Sequence, residues 1–347
     1  MKNNFRKYLY GVVMGEIKGF LPFFLYSILY LMSLLFYIIV KSRRFFYSIG
    51  IFKGVDLKIP VISVGNLTWG GTGKTPLVQY ISAYFIKRSK KIGLLIRGYG
   101  EDEDKMLAHN LQGLSVITGR CRSANAKKAM KKQKFDFFIL DDGFQHLKIK
   151  RDIDIVTISA VSPFGRGSLI PAGSLREPVS ALKYASVVVI TKSDLIDVSC
   201  LEKLKRRVLG YNPKLIVFEA VHKPVDFIKF DGFSVAIDEM RGKRVFSLSA
   251  LGDNDSFIKT LEGLGLIVEK SFSYMDHYKY SFSDMEGIIR SFNSSKADVI
   301  VTTQKDFFRI RPVVGDFPDT KIYVLRVELE VKNEEAFFNR LSDIISG

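Results

Sequence analysis

Cysteine is nearly absent from this 347-residue chain, which holds only Cys121 and Cys200. No CxxC pair or histidine cluster accompanies them, so neither a structural zinc site nor a disulfide framework is expected. Acids are also short: 36 Asp and Glu face 52 Lys and Arg, a formal net charge of +16. Such a charge draws a protein toward an anionic partner, whether nucleic acid, acidic lipid headgroups or a phosphorylated substrate. There is no internal repeat and no low-complexity tract. With 47% hydrophobic and 25% charged residues the composition is globular, which excludes a disordered or collagen-like chain. The length suits two domains of roughly 150 residues each.

Apolar residues are plentiful, above all near the start. Phe20 to Val40 is an unbroken uncharged run, FLPFFLYSILYLMSLLFYIIV. As a helix it reaches roughly 30 Å, the thickness of a hydrocarbon core. A cleavable signal peptide fits badly, because Lys41, Ser42, Arg43 and Arg44 follow without a small-residue cleavage site. Basic residues lie on both flanks, so the positive-inside rule leaves the orientation open. Pro22 and the tyrosines suit a helix that enters one leaflet or lies in the interface. Residues 1–54 are therefore expected to be a membrane-associated segment built on a helix over 20–40.

Beyond Gly54 short apolar runs alternate with helical stretches. KIPVISVG (58–65), KIGLLIRG (91–98), FDFFILDD (135–142), IDIVTIS (153–159), SVVVITKSD (186–194) and KLIVFEA (214–220) read as strands buried on both faces. The intervening 77–88, 123–134 and 199–208 read as helices. This predicts an α/β fold resembling the P-loop NTPases: a mostly parallel sheet with helices on both faces, over 55–222. A second cycle, RGKRVFSLSAL (241–251), a helix over 255–266, DVIVTT (298–303) and KIYVLRVELEV (321–331), predicts a smaller C-terminal α/β lobe over 223–347.

The strongest chemical signal lies between the first strand and the first helix of the body. Thr68-Trp69-Gly70-Gly71-Thr72-Gly73-Lys74-Thr75 has the strand–loop–helix setting of a phosphate loop. Its glycines let backbone N–H groups close around phosphate oxygens. Lys74 would reach the terminal phosphates of a nucleotide, and the Thr75 hydroxyl would face Mg²⁺. The strict pattern departs at one point, where Thr68 stands in place of the first glycine. Asp141 and Asp142 end an apolar strand, where a carboxylate can hold Mg²⁺ directly or through water; the spacing leaves open which one does so.

Six motifs then occur in order: GNLTWGGTGKTP (65–76), RGYG (97–100), DDGFQH (141–146), PAGSLREP (171–178), MDHY (275–278) and TTQKDFFR (302–309). Together they resemble the tetraacyldisaccharide 4'-kinases, the lipid A kinases of Gram-negative bacteria, over nearly the whole chain. The resemblance implies transfer of the ATP γ-phosphate to the 4'-hydroxyl of an acylated glucosamine disaccharide 1-phosphate, giving lipid IVA. It implies ATP and Mg²⁺ as cofactors, and a place on the bacterial inner membrane with the catalytic domain facing the cytoplasm. Nucleotide binding falls on the loop from Thr68 to Thr75, with Arg176 and Glu177 matching the family's Arg-Glu pair. Metal and catalytic roles fall on Asp141 and Asp142, with Gln145 and His146 nearby.

The same resemblance gives a general base, Asp102, oriented by His277. The surrounding motif departs from the family's Gly-Asp-Glu-Pro, since Glu101 and Asp104 replace its glycine and proline; a register two residues later would make Asp104 the base. The rival reading is a membrane-associated P-loop GTPase. Thr191-Lys192-Ser193-Asp194 resembles the guanine-reading element of that class, but Asp142-Gly143 lacks its Asp-x-x-Gly spacing. The lysines at 127, 128, 131, 132 and 134 have no nucleic-acid recognition motif beside them, so no nucleic acid is expected, and no protein partner is implied.

Overall fold

The computed structural model describes residues 8–9, 11–13, 15–98, 107, 111–230, 232–251, 254–275, 278–314 and 321–346. Asp102, Asp104 and His277 therefore lie outside the described residues. The chain forms two compact units. The first runs to Arg97, resumes from Gly113 to Val221, and takes the chain back at Val331; the second holds His222–Glu330.

In the first unit seven strands are arranged in parallel. They are β1 (Val61–Asn66), β2 (Ile92–Ile96), β3 (Ser115–Thr118), β4 (Phe137–Asp141), β5 (Ile153–Ser159), β6 (Val187–Thr191) and the first part of β7 (Ile216–Lys229), in the order β3-β2-β4-β1-β5-β6-β7. β1, β2, β4, β5 and β6 are buried at every position, as their unbroken apolar runs demand. Helices cover both faces. On β4, Phe138 and Leu140 share a core with Ala126 of α3 (Arg122–Met130), while Phe137 turns the other way onto Phe85 of α2 (Lys74–Ile86). α4 (Val198–Leu209) places Leu201, Leu204 and Val208 against Val156, Ile158, Val188 and Ile190.

The N-terminal helix α1 is longer than its uncharged run, from Phe20 to Ser48. It is apolar enough to cross a bilayer, yet it is laid against the first unit along one stripe. Ser33, Val40 and Arg44 are buried on that stripe, and Phe36 and Tyr37 pack against the core of β5, β6 and α4. Ser33 Oγ donates to the Leu169 carbonyl at 2.7 Å and accepts from the Ala172 N–H at 3.0 Å. The opposite side leaves Leu21, Phe24, Leu31, Leu35, Ile38 and Ile39 exposed.

The second unit orders β10 (Ile267–Ser273), β9 (Arg244–Ser249), β11 (Val299–Thr303), β12 (Ile322–Val331) and the second part of β7, with β8 (Ser234–Val235) antiparallel to β7. β10, β9, β11 and β12 pair in parallel. α5 (Asn254–Gly263), α6 (Phe282–Asn293) and α7 (Gln304–Val314) complete this lobe. The stretch from Val331 onward, expected to lie with it, belongs to the first unit instead. The reason is a set of aromatic contacts: α8 (Glu334–Ser346) buries Phe337 and Phe338 against Tyr80, Tyr84 and Phe85 of α2.

Candidate active site

The register of the parallel sheet assembles the site. β1 is central, with Val64 opposite Asp141 of β4 and Asn66 opposite Thr157 of β5. β5 in turn sets Ser159 opposite Thr191 of β6. The loop after β1 thus emerges beside the ends of three other strands.

Buried hydroxyls hold that loop from beneath. Thr72 Oγ1 accepts from Asn66 Nδ2 at 2.9 Å and lies 2.9 Å from Thr157 Oγ1. Thr191 Oγ1 donates to the Thr72 carbonyl at 3.1 Å. Thr72, one of the expected nucleotide-binding residues, has its side chain in this internal network, and its N–H donates to the Gly70 carbonyl. Thr157 and Thr191 are contributors that spacing alone did not reveal. Thr191 belongs to the element compared above with guanine-reading motifs, and here its hydroxyl supports the phosphate loop.

The loop is also tied along its outer side. Thr68 bridges Leu175 in antiparallel fashion, the Trp69 N–H donates to the Ser174 carbonyl, and the Arg176 N–H donates to the Leu67 carbonyl. Trp69 is left 73% exposed. Gly73 adopts a left-handed φ of 79° as it turns into α2, a conformation that favours glycine. The first turn of α2, starting at Lys74 and Thr75, has no side-chain cap and no acid. A Cβ added at Gly70 or Gly71 would meet nothing within 4 Å. Open space above glycine backbone, at an uncapped helix N-terminus, suits a phosphate chain.

The charged residues converge on the same place. Arg176 grips Asp142 with two hydrogen bonds, 2.7 and 2.8 Å long, and Lys74 Nζ lies 3.9 Å from Asp142 Oδ1. Burial alone would raise the Asp142 pKa, but Arg176, Lys74 and Arg122 outweigh it and hold the carboxyl below its usual value. Asp142 takes a left-handed φ of 49° to reach this position. Asp141 uses Oδ1 to accept the Asp142 N–H at 2.9 Å, and its carbonyl accepts from buried Arg122. Burial lowers the Arg122 pKa, partly offset by Asp142 and Asp141.

Arg176 and Glu177 have separate tasks. Arg176 faces Asp142, whereas Glu177 is fully buried and accepts from Arg44 of α1. Burial pushes the Glu177 carboxyl up against the pull of Arg44. Among the described residues no group of three or more His, Cys, Asp or Glu could hold a metal. Magnesium in phosphoryl-transfer sites keeps several waters and takes only one or two carboxylates beside the substrate phosphates. Thr75 and the Asp141–Asp142 pair offer a hydroxyl and carboxylates of that kind; both Asp142 oxygens are bonded to Arg176, and Asp141 Oδ1 accepts the Asp142 N–H.

A family model for tetraacyldisaccharide-1-P 4'-kinase matches residues 25–105 and 101–346. A tetraacyldisaccharide 4'-kinase of Halothermothrix orenii is 32% identical, covering 96% of this chain and 96% of that protein. A probable mitochondrial tetraacyldisaccharide 4'-kinase of Arabidopsis thaliana is 32% identical over 86% and 85% of the two chains. The crystal structure of LpxK from Aquifex aeolicus in complex with ATP superposes with a TM-score of 0.71 at 28% identity, covering 92% of this chain and 99% of that one.

Proposed function

Because this chain belongs to the tetraacyldisaccharide-1-phosphate 4'-kinase family, we propose that the loop from Thr68 to Thr75 holds ATP and delivers its γ-phosphate to the sugar 4'-hydroxyl of a membrane-resident acylated glucosamine disaccharide 1-phosphate. The observation that carries this reading is the open, uncapped glycine loop with Lys74 beside the Arg176–Asp142 pair. Family membership favours kinase over GTPase.

In the proposed reaction the 4'-oxygen attacks the γ-phosphorus, the bond to the β-phosphate oxygen breaks, and ADP leaves. Loop amides and Lys74 stabilise charge on the transferring group. Arg176 keeps Asp142 ionised, and the Asp142 carboxylate lies beside the Lys74 ammonium. Thr75 with Asp141 or Asp142 would hold Mg²⁺, which supplies charge neutralisation on the phosphates. Asp102, oriented by His277, accepts the hydroxyl proton; Asp104 is the alternative two residues on.

The location proposed is the bacterial inner membrane, with the catalytic domain in the cytoplasm. Contact of α1 with the first unit from Tyr26 to Arg44 supports an interfacial helix, since a segment held along the body cannot cross a bilayer by itself. The acyl chains of the substrate stay in the lipid, and excess Lys and Arg favour its phosphate and anionic surroundings.

The test is transfer from γ-labelled ATP, and separately γ-labelled GTP, to tetraacyldisaccharide 1-phosphate in mixed micelles. Labelled lipid should form with ATP and vanish in Lys74→Ala. Release of free phosphate from GTP with no lipid product would reject the proposal. Asp102→Ala should lose turnover while retaining ATP binding; if Asp104→Ala does so instead, the base lies two residues later.

A further inference from the structure

The last turns of α1 reach the nucleotide site through two adjacent arginines. Arg43 donates to the Gln145 carbonyl at 2.6 Å, and the Gln145 side-chain amide donates to the Asn66 carbonyl at 2.7 Å. Asn66 is the last residue of β1 and holds Thr72, so only Gln145 and Asn66 separate Arg43 from the phosphate loop. Arg44 follows a second route. Its guanidinium lies between the Phe144 and Tyr184 rings, donates to the Phe144 carbonyl at 3.1 Å, and pairs with Glu177. Glu177 directly follows Arg176, whose side chain fixes Asp142 and whose N–H fixes Leu67.

We infer that Arg43 and Arg44 are positioning residues for phosphate transfer, joining the apolar helix to both sides of the phosphate loop. This rests on the nucleotide-site reading above. Neither arginine is close to the transferred group by these contacts; each acts through a neighbour. A helix needed only for lipid attachment has no use for a half-buried and a buried arginine bonded to the carbonyls and carboxylate that flank the loop. Six exposed apolar residues on its other side already suffice for attachment. The consequence is linkage: whatever orders α1, including contact with a lipid surface, orders the ATP site, and ATP in turn favours the docked helix.

The experiment uses the full chain in phospholipid nanodiscs, with three readouts. They are ATP affinity by equilibrium dialysis of labelled ATP, the fluorescence of Trp69, the sole tryptophan, and the melting temperature. Arg43→Ala removes one charge-assisted bond to a carbonyl and leaves no buried charge unpaired, so the protein should fold. The expected result is about tenfold weaker ATP binding and an altered Trp69 response. Arg44→Lys keeps a charge for Glu177 but loses the planar fork and the flat ring contacts, and should weaken ATP binding by an intermediate amount. A lowered melting temperature with wild-type ATP affinity in both variants would show a merely structural role and overturn the inference. If wild-type protein bound no ATP, the nucleotide-site reading would fall first and take this inference with it.

Discussion

Thr72→Val is the sharpest probe of how the phosphate loop is held. Valine keeps the β-branched shape and removes one hydroxyl. Thr72 is 4% exposed, so no solvent stands ready to replace it. Thr157 Oγ1 retains a second partner, the Gly65 carbonyl at 3.2 Å. Asn66 Nδ2 loses the acceptor it has at 2.9 Å and becomes a buried donor without a bond. Leaving such a group unpaired costs about 1–3 kcal/mol. Expressed wholly in loop geometry, that is a weakening of ATP binding of about 5- to 150-fold. Urea unfolding and ATP titration of Trp69 fluorescence would show how the cost divides between stability and affinity. Thr72→Ser restores the hydroxyl and should lie close to wild type in both. Equal behaviour of the Val and Ser variants would refute the argument, because it would mean the hydroxyl does not hold the loop.

Three further outcomes follow from the same structure. The His146 pKa is lowered from 6.5 to about 4 by burial, with Arg122 and other cations adding to it. Between those values the unfolded chain takes up a proton that the folded chain refuses, so stability should fall as pH drops from 6.5 toward 4. His146→Phe should flatten this decline in urea midpoints between pH 7 and 5, and an unchanged slope would count against it. Asp142, with its pKa held below the usual carboxyl value, contributes stability that is present at neutral pH and lost as acidification protonates it. Asp142→Asn should therefore blunt the acid limb below about pH 4, checked by circular dichroism on acid titration. Phe338→Ala should cost about 3–5 kcal/mol in chemical denaturation by opening a cavity beneath Tyr84 and Phe85. A loss under 1 kcal/mol would show that α8 is not held as described.

Much of the architecture was legible because burial on both faces leaves an unmistakable sequence trace. Val61–Asn66, Ile153–Ser159 and Val187–Thr191 are apolar enough to be read as interior strands without any partner known. β3 and β10 were not read, because neither has a buried position and their alternation is broken by polar residues. The return of α8 to the first unit was hidden for another reason: Phe337 and Phe338 announce a buried face but not which core receives it. At the site, the glycine loop and the aspartate pair are local patterns and could be found. Asn66, Thr157 and Thr191 come together only through strand register. Arg44 and Glu177 are 133 residues apart and meet only when α1 docks. The resemblance to the kinase family located the Arg-Glu pair, yet only the fold separates its members, one toward Asp142 and the other toward the helix.

The exposed side of α1 has a kinetic consequence. Each large apolar side chain there favours lipid over water by about 1.5–3 kcal/mol, and six of them together would keep the enzyme from leaving a bilayer on the timescale of turnover. On the proposed membrane location, enzyme and acylated acceptor would meet by lateral diffusion in two dimensions, while ATP arrives from three. The velocity should follow the mole fraction of acceptor in the lipid rather than its bulk molarity. Adding inert phospholipid at fixed acceptor should slow the reaction by surface dilution alone.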